Sequence, residues 1–237
     1  MCTVTYLPLG NEEFCLTSNR DETPGRQPME LYYDEANNLL FPKEPKHGGT
    51  WISASADNRL VCLLNGAFQK HKQEPPYRRS RGLVVLDYFE YGTTAQFVTN
   101  YYFDGIEPFT MVIFDNAKLY DFRWDGETKH LLELDPEKPH IWSSSTLYND
   151  EIKNKRIAWF QNWLAAEQEK NAAEILKFHK TAGADDKENG LIMSRNNNLV
   201  CTVSITQVIK KDHKFSLKYF DRINNQNTEQ ILNLNRV

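Results

Sequence analysis

The chain enters a β-strand at its second residue. Cys2-Thr3-Val4-Thr5-Tyr6-Leu7 is rich in β-branched and aromatic positions, and Phe14-Cys15-Leu16-Thr17-Ser18 has the same character after a turn at Gly10-Asn11. Two strands joined this closely pair as an antiparallel hairpin. The residue at the head of the first strand is then held by a sheet instead of a fraying tail. The second strand runs into Asn19-Arg20-Asp21-Glu22 before Thr23-Pro24-Gly25 breaks it. The hairpin thus returns four polar residues to the level of the chain's start.

Further on, residues 26–47 read as loop, with a polar stretch at 34–38. Gly48-Gly49-Thr50-Trp51-Ile52-Ser53 leads into a strand, Asp57-Asn58 is a turn, and the near-continuous apolar run up to Asn65 reads as a buried strand. Residues 80–91 and 94–100 have helical character. Residues 109–114, 118–123 and 130–134 form a meander divided at Asn116 and Asp125-Gly126, and residues 140–144 make one more strand. Asn149 is an N-cap with Asp150 and Glu151 in the first turn. Ile152, Trp159, Phe160, Trp163 and Leu164 then recur at helical spacing, and Ala172, Ile175, Leu176 and His179 mark another helix. Residues 185–198 read as loop, and residues 199–208 and 215–220 close the chain as a hairpin. Runs of strands alternating with pairs of helices predict an α+β domain in which helices cover antiparallel sheets. No stretch reads as a linker, so residues 1–237 are expected to form a single domain.

Composition narrows the function. The net charge is -4, and the densest basic cluster is the short Tyr77-Arg78-Arg79-Ser80-Arg81, which disfavours nucleic-acid binding. That cluster reads as a solvated approach to a helix, or else as a site for an anionic group. No apolar run is long enough to span a membrane. No secretory signal opens the chain, which predicts a cytoplasmic protein. The four cysteines form no CxxC pair, so no zinc or other metal site is expected. Cys15, Cys62 and Cys201 sit among apolar neighbours and are expected in the core of a protein from a reducing compartment.

Cys2 differs. Removal of Met1 would leave a thiol and a free α-amine on one residue. The amine has a reference pKa of about 7.7–8.0, near working pH, and can act as general base for the thiol beside it. A neighbouring guanidinium lowers a thiol pKa, and a carboxylate holds an ammonium in place. Arg20 and Asp21 are the candidates for these two tasks.

Met1-Cys2 opening a strand, then Thr17-Ser18-Asn19-Arg20-Asp21-Glu22, Gly48-Gly49-Thr50-Trp51 and Leu64-Asn65, resembles in order and spacing the NRDE family, also called transport and Golgi organisation protein 2. The likeness is clear through the first third and weaker at Ser143-Ser144-Ser145 and in the strand from Cys201 to Val208. It implies the four-layer αββα fold of N-terminal-nucleophile hydrolases, with two antiparallel sheets. Its opening motifs are similar to those of the cholylglycine hydrolase and penicillin V acylase group, enzymes that cleave non-peptide amide bonds. The resemblance makes Cys2 the nucleophile with its own amine as base, sets Arg20 beside the thiol and Asp21 on the amine, and gives Asn65 to an oxyanion hole. Asn19, Glu22, Trp51 and Ser144 are the expected substrate contacts. Two positions depart from the family pattern. Ser143-Ser144 stands where it has Ser-Asn, and Thr202-Val203-Ser204 where it has Thr-Arg-Ser. Asn149 or Arg195 is the expected substitute.

Two functions follow. One is a hydrolase that cleaves an amide, ester or thioester bond of a small acyl substrate through a Cys2 acyl-enzyme, with no cofactor. The alternative is a non-catalytic haem or lipid/acyl-CoA binding and trafficking protein on the same scaffold, as the family's links to haem mobilisation and lipid metabolism imply. Gly48-Gly49 is expected to serve a tight turn, and His47 and His140 to be surface or capping residues. The oligomeric state is not legible.

Overall fold

The computed structural model describes residues 3–28 and 30–235. Its first sheet is built around the opening hairpin, β1 (Thr3–Gly10) and β2 (Glu13–Glu22). The turn between them sits at Gly10, Asn11 and Glu12, all with positive φ. The second sheet holds β3 (Leu31–Asp34), β4 (Leu39–Pro42), β5 (Ile52–Ser55), β6 (Arg59–Asn65), β7 (Phe109–Asp115), β8 (Lys118–Trp124) and β9 (Lys129–Leu134), hydrogen-bonded in that order. The chain then returns to the first sheet through β10 (His140–Ser143), which pairs with β1. The short β11 (Ser194–Arg195), then β12 (Val200–Lys211), β13 (Lys214–Asp221) and β14 (Gln226–Asn233) complete it, with the order β10-β1-β2-β12-β13-β14 and β11 on β12. Every pairing in both sheets is antiparallel.

Among the described residues, four helices cover the outer faces. α1 (Arg81–Asp87), continued by a 3-10 turn at Tyr88–Glu90, and α2 (Thr94–Asn100) pack Val84, Val85, Tyr88 and Phe97 onto Val61, Leu63, Met111 and Phe122 of the second sheet. On the first sheet, α3 (Asp150–Ala165) and α4 (Ala172–Thr181) pack Phe160, Ile175 and Phe178 onto Leu7 and Cys15. Asn149 caps α3 as expected, accepting from the Ile152 N–H at 3.0 Å. Between the sheets lies the largest core, in which Phe14 meets Phe114 at 4.5 Å between ring centroids. Helix, sheet, sheet, helix is the αββα arrangement anticipated above.

This layering explains why β2 is buried along nearly its whole length. Phe14 and Leu16 enter the intersheet core and Cys15 faces α4, so alternate side chains serve different layers. The polar residues at the end of β2 inherit the same alternation.

Four strands and one cysteine depart from the sequence reading, the two-residue β11 lying within the segment 185–198 expected as loop. β3 and β4 occupy the segment expected as loop, with residues 34–38 as their turn and Asn38 at φ 52. β14 extends the closing hairpin to a third strand. Its sequence, QNTEQILN, buries only Leu232, because an edge strand needs few apolar residues. Cys201 is half-buried instead of core, beside the two-residue β11.

Candidate active site

The start of β1 is fixed from both sides: Thr3 pairs with Asn19 of β2 and with Ser143 of β10. Residues 19–22 and 143–144 therefore converge there. Cys2 itself lies outside the described residues. Around that point, the period of β2 divides the four polar residues between two environments.

Asn19 and Asp21 face the helices. The Asn19 amide donates to the backbone carbonyls of His179 (3.1 Å) and Leu191 (2.5 Å), which fixes its oxygen toward His179 Nδ1 at 2.6 Å. An amide oxygen only accepts, so Nδ1 carries the proton, and Nε2 accepts from the Thr5 hydroxyl at 2.7 Å. Burial, assisted by the nearby Arg156 charge, holds His179 neutral and lowers its pKa to about 3. Asp21 accepts from Tyr148 (2.5 Å) and from Thr202 (2.6 Å). Burial, then the Asp21 charge, drives the Tyr148 phenol far above its ordinary range. Arg156 lies 3.6 Å above the Tyr148 ring and donates to Thr3 Oγ1 and to the carbonyls of Asn189 and Gly190. A fully buried arginine sits at the α3 position four residues after Ile152 and four before Phe160, where an apolar-stripe reading passes over it.

Arg20 and Glu22 line a cavity of about 330 Å3 on the other side, together with Trp51 and Asn65. Arg20 is 4% exposed and lies over the Trp51 ring at 4.3 Å. Its Nη1 donates to the Arg26 carbonyl at 2.7 Å, and its guanidinium stands 3.8 Å from Glu22. Among the described residues, Arg20 Nε and Trp51 Nε1 find no acceptor. Burial lowers the Arg20 pKa.

Asn65 ends β6, where Gly66 turns the chain with φ +79. A Cβ at Gly66 would come within 3.2 Å of Ser145 and 3.1 Å of Thr146, so only glycine lets the two segments meet. That contact brings Ser144 to Asn65. The Ser144 hydroxyl donates to the Asn65 carbonyl at 2.8 Å, and the residue is fully buried, so it supports the loop and does not line the cavity. Asn19 likewise spends its amide on His179 and Leu191 instead of reaching the cavity.

At the departures from the family pattern, Val203 is buried in the bulge that separates the Thr202–Asp21 and Ser204–Arg20 pairs. Arg195 is held by the carbonyls of Glu188 and Leu147 and by Asn189. Asn149 serves as the α3 cap.

The sequence reading missed the far wall of the cavity. Arg81, at the start of α1, is largely buried and pairs with Glu107 at 2.9 Å. Burial lowers its pKa. Arg26 spans Glu22 (3.0 Å) and Glu44 (3.4 Å). His47, expected as a surface or capping residue, stands at the rim, half-exposed and 3.2 Å from Glu44. The wall closes because Gly49 and Gly82 touch. A Cβ on Gly49 would lie 2.7 Å from the Gly82 carbonyl carbon, and the Thr50 N–H donates to the Gly82 carbonyl. The basic cluster at 77–81 therefore splits. Arg78 binds loop carbonyls, Arg79 pairs with Asp87, and Arg81 turns inward. Arg79 and Arg81 both line the cavity, and of the two it is Arg81 that neighbours the Gly49–Gly82 contact.

A family model described as Transport and Golgi organisation 2 matches residues 1–228. Among solved structures, a Caenorhabditis elegans ortholog of N-acylethanolamine-hydrolyzing acid amidase superposes with a TM-score of 0.58 at 12% identity, covering 87% of this chain and 92% of that one. One variant of the conjugated bile acid hydrolase from Clostridium perfringens superposes at 0.53 with 10% identity, covering 97% and 92%. A second variant of that hydrolase gives 0.52 at 10% identity, covering 100% and 97%. No curated protein sequence matches the chain. The fold is that of the N-terminal-nucleophile hydrolases.

Proposed function

The chain belongs to the transport and Golgi organisation 2 family, and from that premise we propose that it is a cytoplasmic N-terminal-nucleophile hydrolase acting on an amide, ester or thioester bond through Cys2. The observation that carries this reading is the division of β2. At the head of β1 it offers a buried carboxylate, Asp21, on one face and a buried guanidinium, Arg20, on the other. A residue carrying both amine and thiol needs these two partners, one for each group.

In this mechanism the α-amine takes the thiol proton and the sulfur attacks the substrate carbonyl carbon. The oxyanion that forms is met by Asn65, a type of donor whose removal typically raises a barrier by about 3–4 kcal/mol. As the carbonyl reforms, the bond to the leaving nitrogen, oxygen or sulfur breaks, and the ammonium returns its proton to that atom. Water then attacks the Cys2 thioester with the amine again as base, releasing a carboxylic acid and the free thiol. Trp51 and Glu22 would contact the substrate in the cavity. Asn19, bonded to His179 and Leu191, and Ser144, bonded to the Asn65 carbonyl, would support the site from outside the cavity.

A ligand-holding role without turnover, for haem or an acyl-CoA, is the second reading. The substitution of buried Val203 for the family's arginine favours it. Intact mass and turnover decide between the two. The mature chain is expected to lack Met1 and to hydrolyse N-acyl or thioester probes, while Cys2→Ala loses at least about a thousandfold in rate. A Cys2→Ala chain as fast as the parent would end the hydrolase reading.

A further inference from the structure

We infer that the cavity beside β2 is a subsite for a carboxylate or phosphate group, with Arg20 and Trp51 as its floor and Arg81 as its opposite anchor. The inference rests on the hydrolase reading only in taking this cavity as the substrate's place; anion binding itself needs no nucleophile.

A buried charge requires a counter-charge. Arg81 has Glu107 at 2.9 Å, and Arg26 has both Glu22 and Glu44. Arg20, the most deeply buried of the three, has only a distant share of Glu22, at 3.8 Å against the 3.0 Å that Glu22 keeps to Arg26. Its guanidinium is thus under-compensated. Two N–H donors on this floor, Arg20 Nε and Trp51 Nε1, also have no acceptor among the described residues. Buried donors of this kind are rarely left unmet, and both belong to residues that line the cavity. A group in the cavity that compensates the Arg20 charge must bring acceptor oxygens and negative charge. Planar guanidinium matches carboxylate and phosphate in this way, and hydrocarbon cannot.

The opposite wall agrees. Arg81 lies within electrostatic reach of both Glu22 and Arg26, so it stands across the cavity from the β2 residues and not apart from them. At about 330 Å3 the space is at the small end for a ligand site. The substrate portion it admits is therefore short, polar and anionic.

Isothermal titration of the full chain carrying Cys2→Ala, at low ionic strength, tests this with succinate, inorganic phosphate and neutral hexanamide. Saturable binding of succinate alone identifies a carboxylate subsite, of phosphate alone a phosphate subsite, and of both the shared chemistry. In each case Arg81→Gln is expected to weaken binding at least tenfold, with hexanamide not binding. Should Arg81→Gln fail to fold, the paired Arg81→Gln and Glu107→Gln chain removes both partners together and carries the same expectation. Binding of neither anion, equal binding by the Arg81 variants, or tighter binding of hexanamide overturns the inference. The two readings fail separately. A chain that binds anions but never hydrolyses acyl probes refutes only the hydrolase, and one that hydrolyses neutral probes without binding anions refutes only the subsite.

Discussion

The two faces of β2 carry equally polar residues and treat them in opposite ways. Toward the helices, the groups of Asn19 are met by His179 and Leu191, and Asp21 receives two hydroxyls. Toward the cavity, Arg20 and Trp51 retain buried donors without acceptors among the described residues, and the charges share partners. A satisfied buried network rigidifies, whereas the less compensated charge on the cavity face is what the proposed anion subsite would use. Burial alone does not separate the two, since Arg20 is as deeply buried as Asp21.

The strongest way to break this comparison is to remove the amide on the satisfied face. Asn19→Leu strands His179 Nδ1 and the His179 carbonyl, while the Leu191 carbonyl keeps the Thr202 hydroxyl. At about 1–3 kcal/mol for each of the two orphaned groups, a loss of about 2–6 kcal/mol is expected in urea unfolding. A loss below about 1 kcal/mol would mean that this face is no more structural than the other.

Next in size is acid sensitivity. His179 is held neutral in the fold, with a pKa lowered from 6.5 to about 3, while the unfolded chain regains the ordinary value. The unfolded state then binds the extra proton. The stabilisation is complete above 6.5 and is lost as pH falls from 6.5 toward 3, at up to about 1.4 kcal/mol per pH unit. In NMR titration the His179 ring should show no step between pH 7 and pH 4. A step near 6 would show that the network admits the charge.

The smallest effect belongs to the cavity face. Trp51→Phe keeps most of the ring and deletes an N–H that has no acceptor among the described residues. Stability should change by no more than about 1 kcal/mol, in either direction, in the same urea measurement. A loss of several kcal/mol would show Trp51 Nε1 to be structurally committed and would blur the contrast.

Much of the scaffold was legible in the sequence. The opening hairpin, the buried run ending at Asn65, the meander and the capped α3 carry strong periodicity and turn chemistry. The polar edge strand β14 and the short β3 and β4 do not, because their pairing partners supply what their own residues lack. The polar residues around the cavity were legible as candidates but not as an arrangement. Arg20, Glu22, Trp51 and Asn65 do share one cavity. Asn19 and Ser144, drawn from the same motifs, support its surroundings, and Arg81 sat in a cluster whose members point three ways.

The sequence by itself determined that an antiparallel hairpin opens the chain, that β2 ends in a polar quartet, and that strands and helices alternate so as to stack in layers. These follow from local periods, turn residues and caps, which act over a few positions. Only the tertiary structure decided which face of β2 meets helices and which meets a cavity, and that Arg81 closes the far wall. Such choices depend on partners more than a hundred residues away, such as Tyr148, His179 and Thr202, and on the Gly49–Gly82 approach. No local pattern encodes them, because each is settled by which buried groups can satisfy one another when the layers close.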